Sequence, residues 1–250
     1  MHCELCDQPI LNKPNQISIE NVRLLVCEKC SILDNLDEYR NRIHKTINMR
    51  IPSNSSILDV GCGDGFDMLL YVRKGKIAIG LDVTFRTSWK KFKENPQAHF
   101  LISSALHLPF RKDFFDFVFI KDILHHVTEP NKINWKVTLK QVFDESQKVA
   151  KINGNIVVIE ANRYNPVSYL HMTRIEGHQH LTREHLQEIL KLYSDSLSIK
   201  SVEAHFYPGK NRLLKKIIPI IEDIISKIPI LNRFLSYNIA VIKNSQIKTI

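Results

Sequence analysis

No apolar run in this chain approaches the roughly 18 residues that a membrane-spanning helix needs, which excludes a transmembrane protein of that kind. The opening residues Met1-His2-Cys3-Glu4 carry no apolar signal region, so the expectation is a cytoplasmic protein. Glycine and proline are scarce, at 8 and 10 residues in 250, and no tract is repeated or of low complexity. That excludes a fibrous repeat and a disordered chain. Cysteine is scarce as well, at five residues, and its uneven placement points away from a disulfide framework. What the chain has in quantity is apolar residues, at 44%, enough for one medium-sized core with a small appendage.

Four of the five cysteines fall near the start as Cys3-x-x-Cys6 and Cys27-x-x-Cys30. Two such pairs on two tight turns can close a tetrahedral thiolate site around Zn2+. A closed site leaves no position for substrate, so the metal's role would be structural. Thirty residues build little core, and a metal would supply the missing stability. Residues 1–32 therefore read as a zinc-binding module, similar to a zinc ribbon or knuckle. Residues 33–250 form the main domain. Leu36, Tyr39, Ile43 and Ile47 give 33–52 the spacing of a linking amphipathic helix.

From Ser56 onward, short apolar runs alternate with helical patterns. Strands are expected at 57–60, 77–83, 99–102, 115–120 and 155–160, with two more at 197–206 and 237–243. Helices are expected at 66–72, around 89–92, after the fourth strand, at 134–150 and after Thr182. This α/β alternation predicts a Rossmann-like, seven-stranded, mainly parallel sheet with helices on both faces. Ligands of such sheets bind beyond the carboxyl ends of the strands.

The first strand runs into Asp59-Val60-Gly61-Cys62-Gly63-Asp64-Gly65. Glycines at alternate positions permit a sharp turn and close approach to a ligand. A dinucleotide fingerprint would require glycine at 66, where this chain has Phe66. The second strand ends at Asp82, whose carboxylate can accept both hydroxyls of a ribose; capping a helix is the plainer role for an aspartate there. Cys62 needs only to be small.

These stretches together resemble the class I S-adenosylmethionine-dependent methyltransferases, and most closely their type 11 subgroup. The Gly turn is similar to the family's first motif, and Asp82 to its second-motif acid. Ala105-Leu106-His107-Leu108-Pro109-Phe110 resembles the segment after the third strand. Phe115 to Ile120, followed by Leu124-His125-His126-Val127, resembles the fourth strand and its sequel. The resemblance covers about 55–165 and keeps the family's order. It implies a cofactor site for S-adenosyl-L-methionine at Asp59, Gly61, Cys62, Gly63, Gly65, Asp82, Val83, Ser104, Ala105, Leu106 and Ile120. The chain departs from the pattern at Ser104, where an acid is usual; serine is a weaker acceptor for an adenine amino group. It departs again at Ile152-Asn153, where Pro-Gly is usual, although asparagine tolerates a left-handed turn.

Methyl transfer is an in-line displacement that needs alignment, exclusion of water and, for many acceptors, removal of a proton. The candidates for proton handling are His125, His126 and Glu160. A packing or capping role serves the histidines equally well, and an ion pair with Arg163 serves Glu160. Residues 161–181 would cover the substrate side. His178 and His180 in it lack the further ligands that a metal site needs.

Net charge is +9. A Lys- and Ile-rich composition produces this without a partner, but residues 205–250 hold eight basic against two acidic residues, a net +6. Residues 207–236 form an amphipathic insertion before the last strand, in which Leu214, Ile217, Ile218, Ile221, Ile224, Ile225 and Ile228 share one helical face. Packing on the chain's own domain is the commoner fate of such a face. The alternatives are an anionic membrane surface, giving peripheral attachment, or RNA held by the basic residues. The expected acceptor is a small molecule, lipid or glycan. RNA is the first alternative, and a non-catalytic protein that keeps the cofactor pocket is the second.

Overall fold

The computed structural model describes residues 3, 9–11, 13–19, 22–26, 51–72, 76–128, 134–166, 169, 181–194, 197–202, 217, 220, 223–225 and 227–245. Of the proposed zinc ligands, only Cys3 lies among them. Cys6, Cys27, Cys30, residues 33–50 of the linking helix expected at 33–52, and His178 and His180 lie outside the described residues. Between the Cys pairs in sequence, strands β1 (Asn15–Ile19) and β2 (Val22–Val26) form an antiparallel ribbon. Cys3 is fully buried and belongs to the apolar cluster on one face of the main sheet.

The main sheet has seven strands: β3 (Ser56–Val60), β4 (Ile77–Asp82), β5 (Ala98–Ile102), β6 (Phe115–Lys121), β7 (Ala150–Ala161), β8 (Ile199–Val202) and β9 (Tyr237–Lys243). Their order is β5-β4-β3-β6-β7-β9-β8. Pairings from β5 through β7 are parallel, while β9 runs antiparallel to both β7 and β8. The sheet is therefore mixed, and mainly parallel. Each expected strand is present. The fifth begins earlier than expected, directly at the end of the preceding helix, because Asn153 adopts φ 64°. That left-handed residue absorbs a register shift between β6 and β7, so Ala150 still pairs with Phe115.

Period-two alternation sends side chains to two cores. Leu58, Val60, Val118, Ile120, Ile156 and Val158 face α3 (Trp135–Val149) and α4 (Arg183–Leu190) through Leu139, Phe143, Leu186 and Leu190. Ile57, Phe117, Phe119, Val157 and Ile159 face α1 (Asp67–Val72) through Met68 and Tyr71. A short helix α2 (Leu124–Thr128) follows β6. The second expected helix is a 3₁₀ turn, Thr87–Phe92. Thr182 caps α4 as expected: its side chain accepts from the His185 N–H, and the His185 ring accepts from the Thr182 N–H.

The insertion before β9 is described only in part. Ile217, Ile220, Ile224, Ile228 and Ile230 are each at least 40% exposed. Of the expected face, Ile217, Ile224 and Ile228 are exposed and Ile225 is half-buried, and Leu214, Ile218 and Ile221 lie outside the described residues.

At the edge of the sheet where β3 begins, Asp116 accepts from the Ser56 N–H at 2.8 Å, the Ser56 hydroxyl at 2.7 Å and Lys151 at 2.9 Å. Burial works against its charge, but the Lys151 and Ser56 hydrogen bonds prevail and hold its carboxyl below the usual 3.8. A depressed carboxyl contributes stability above its unfolded pKa and loses it as pH falls through the folded one. Asp116→Ala is expected to lower unfolding free energy by about 1–3 kcal/mol at neutral pH. Denaturant melts at pH 7 and pH 3 should show the gap between variant and parent narrowing in acid.

Candidate functional site

Beyond the carboxyl ends of β3, β4 and β6 lies a cavity of about 530 Å³. Its floor is the turn that leaves β3. Gly61 and Cys62 both donate their N–H groups to the Leu81 carbonyl, at 2.7 and 3.0 Å, so the chain reverses immediately after the strand. Gly61 takes φ 75°, and a Cβ there would lie 1.9 Å from Ile123. Its glycine is needed for the turn and for the packing of Ile123. Gly63 also has positive φ, but a Cβ there would meet nothing within 4 Å. Gly63 is where the backbone lies bare to the cavity.

The turn is clamped from outside. The Trp89 indole donates to the Gly63 carbonyl at 2.9 Å, and the Ser88 hydroxyl to the Asp64 carbonyl at 2.7 Å. Asp82 accepts from the Gly63 N–H at 3.0 Å through one oxygen and from the Thr84 N–H at 3.1 Å through the other. Asp82 thus fixes the turn and starts its own. Each carboxylate oxygen has a second lone pair left for a ligand hydroxyl.

Of the residues expected at the cofactor, Asp59, Gly61, Cys62, Gly63, Asp82, Val83, Ser104 and Ala105 line the cavity. Gly65, Leu106 and Ile120 do not. Gly65 abuts Phe100 and Trp89, and Ile120 is fully buried in the core. Ser104 accepts from the Leu106 N–H at 3.2 Å, which shapes the loop after β5. Cys62 is buried beside Asp59, Asp82 and Asp64. Burial first, and those charges second, push its thiol far up, so it stays protonated and is no nucleophile.

The three candidates for proton handling separate. His126 lines the cavity. His125 and Glu160 do not; both are buried, and the His125 Nδ1 is hydrogen-bonded to Glu160. The other Glu160 oxygen accepts from the Leu124 N–H at 3.1 Å. Glu160 therefore holds the start of α2 and the His125 ring. The histidine rings lie 4.1 Å apart, so His125 supports His126 from behind.

Sequence reasoning missed Lys121 and Asp67, an ion pair at 2.7 Å on the cavity wall. It also missed Asp122, a non-glycine residue with φ 52° between β6 and α2. The Tyr237 hydroxyl donates to Asp122 at 3.4 Å. No local pattern announces pairs 54 and 115 positions apart; only the strange backbone after a strand end could have marked Asp122, and that is invisible in sequence.

Residues 58–158 match the family model described as a methyltransferase domain. This stretch is similar to a methyltransferase domain. Among curated proteins, the chain is 29% identical over 108 residues to the tRNA (carboxymethyluridine(34)-5-O)-methyltransferase of Arabidopsis thaliana. That match covers 43% of this chain, which spans about a quarter (24%) of the length of that relative. Among solved structures, a SAM-dependent methyltransferase from Archaeoglobus fulgidus superposes with TM-score 0.60 at 21% identity, over 86% of this chain and 97% of that one. The N-methyltransferase NodS from Bradyrhizobium japonicum, in complex with S-adenosyl-L-homocysteine, superposes with TM-score 0.54 at 12% identity, over 84% and 86%.

His125→Ala leaves Glu160 buried without its imidazole and is expected to cost about 3–5 kcal/mol of stability. His126→Ala, at an exposed position, should shift stability by no more than about 0.5 kcal/mol. Thermal melts of the two variants separate the support role from the site role.

Proposed function

We propose that the chain transfers a methyl group in line from S-adenosyl-L-methionine to a small-molecule, lipid or glycan acceptor. The observation that carries this reading is the bare backbone at Gly63 beside the Asp82 carboxylate, in one cavity of about 530 Å³. A cavity of that size suits a nucleoside-sized ligand. Asp82 would hold the ribose hydroxyls, Gly61 and Gly63 would meet the amino-acid part, and Ser104 and Ala105 would face the adenine. When bound, the cofactor supplies an electrophilic methyl on a sulfonium. Acidic side chains around the cavity, Asp59, Asp64 and Asp82, favour a ligand with positive charge. His126 takes the proton from acceptors that must lose one, and His125 with Glu160 positions it. Ile123 and Val127 narrow the cavity and help exclude water.

RNA is a second acceptor reading, favoured by the net charge of +9 and by the tRNA-modifying relative. The N-terminal module would be a structural Zn2+ site of Cys3, Cys6, Cys27 and Cys30, supported by the spacing of the two pairs.

Isothermal calorimetry with S-adenosylhomocysteine is expected to show one site. Asp82→Ala should weaken it about 10- to 100-fold through lost hydrogen bonds to a charged group. No heat of binding to the parent protein, or equal affinity in the variant, would reject the cofactor assignment. A labelled-cofactor screen over lipid, glycan, small-molecule and RNA fractions then identifies the acceptor. Metal analysis of reductant-prepared protein should find one zinc per chain, lost in Cys27→Ser/Cys30→Ser. A zinc-free parent would sink the module reading.

A further inference from the structure

Proton removal at His126 and ribose binding at Asp82 leave one charged pair of the cavity wall unused, Lys121 and Asp67. Lys121 closes β6 and donates to Asp67, the first residue of α1, at 2.7 Å. Their side chains are only 12% and 10% exposed. Withdrawing two charges from water costs free energy, and an apolar pair of the same volume would join β6 to α1 as well. A charged pair kept in the wall of a cavity therefore points to a charged ligand.

The strand register places this pair relative to Asp82. Val60 pairs with Leu81 on one side and with Ile120 on the other. Asp82, Gly61 and Lys121 are the next residues along, so they stand level across three strand ends. Leu81 and Ile120 point into one core. Period two therefore sends Asp82 and Lys121 to the opposite face, the face that carries α1. Their backbones stand two strand spacings apart, about 10 Å. A ribose held at Asp82, with a homocysteine tail laid across the turn at Gly61 and Gly63, brings the tail's charged end to Lys121. That end carries an ammonium and a carboxylate. The carboxylate needs a cation beside it, because Asp59, Asp64, Asp82 and Asp122 also line the cavity. Among the described lining residues the fixed cations are Lys121 and Arg86. Arg86 follows Asp82 at the start of the 3₁₀ turn, on the ribose side. Lys121 is the cation on the side of the tail.

We propose that Lys121, held in place by Asp67, binds the carboxylate of the ligand's amino-acid end and so selects amino-acid-bearing nucleosides over those without that charge. The inference rests on the cofactor reading of the cavity. Its test is calorimetric binding of three ligands to the full chain: S-adenosylhomocysteine, its analogue lacking only the carboxylate, and methylthioadenosine, which lacks the whole amino-acid end. The parent is expected to bind S-adenosylhomocysteine at least about tenfold more tightly than either of the others, the loss that follows from removing a charge-assisted hydrogen bond. Lys121→Met should bring S-adenosylhomocysteine down to the level of the carboxylate-free analogue while methylthioadenosine affinity stays unchanged. Lys121→Arg, which keeps the charge, should retain part of the preference. Equal affinity of the parent for S-adenosylhomocysteine and the carboxylate-free analogue overturns the proposal, and that comparison needs no variant. Retention of the parent's preference by Lys121→Met overturns it too, as does loss of S-adenosylhomocysteine and methylthioadenosine in equal proportion. Methylthioadenosine binding without any preference for S-adenosylhomocysteine leaves the nucleoside site standing and removes this inference alone. A parent that binds none of the three removes the cofactor reading, and this inference with it.

Discussion

The Leu81 carbonyl receives two N–H groups, from Gly61 at 2.7 Å and Cys62 at 3.0 Å, and the site hangs on that junction. By tying the end of β4 to the first residues after β3, it forces the chain to turn where the two parallel strands stop. The turn exposes the Gly63 backbone and puts Asp82 against it. Trp89 and Ser88 then satisfy the carbonyls that the turn leaves pointing outward. Buried backbone groups need such partners, so the 3₁₀ segment is as necessary to the cavity as the glycines. Trp89 in turn stacks on Phe100 of β5 with ring centroids 4.9 Å apart, which carries the support to the sheet edge.

The opposite wall is built by a second junction, at the end of β7. Glu160 reaches across to His125 and to the Leu124 N–H, fixing α2. Two residues later Asn162 takes hold of the segment that leads into β9. One strand end thus positions both the histidine that faces the cavity and the tail whose isoleucines face outward.

Much of this was legible in the chain. Alternation at Ile57-Leu58-Asp59-Val60 and Phe117-Val118-Phe119-Ile120 reported strands buried on both faces. The spacing at Gly61, Gly63 and Gly65 excluded the dinucleotide pattern, and Asp82 marked the next strand end. Eight of the eleven expected cofactor residues line the cavity. Gly65, Leu106 and Ile120 do not, because a motif names neighbours in sequence without saying which side chains turn inward. His125, His126 and Glu160 looked alike as candidates. Separating them required burial and a contact spanning 35 positions.

By itself, then, the sequence determined the strand and helix order, the Gly turn, the cap at Thr182 and the basic, amphipathic character of the tail. All of these are set by interactions within a few residues, whose period and spacing the chain records directly. The tertiary structure alone decided that Glu160 pairs with His125, that Lys121 meets Asp67 and Tyr237 meets Asp122, and that Ile217, Ile220, Ile224, Ile228 and Ile230 stay exposed. Those outcomes depend on which strands become neighbours, and the order β5-β4-β3-β6-β7-β9-β8 joins residues that no local pattern connects.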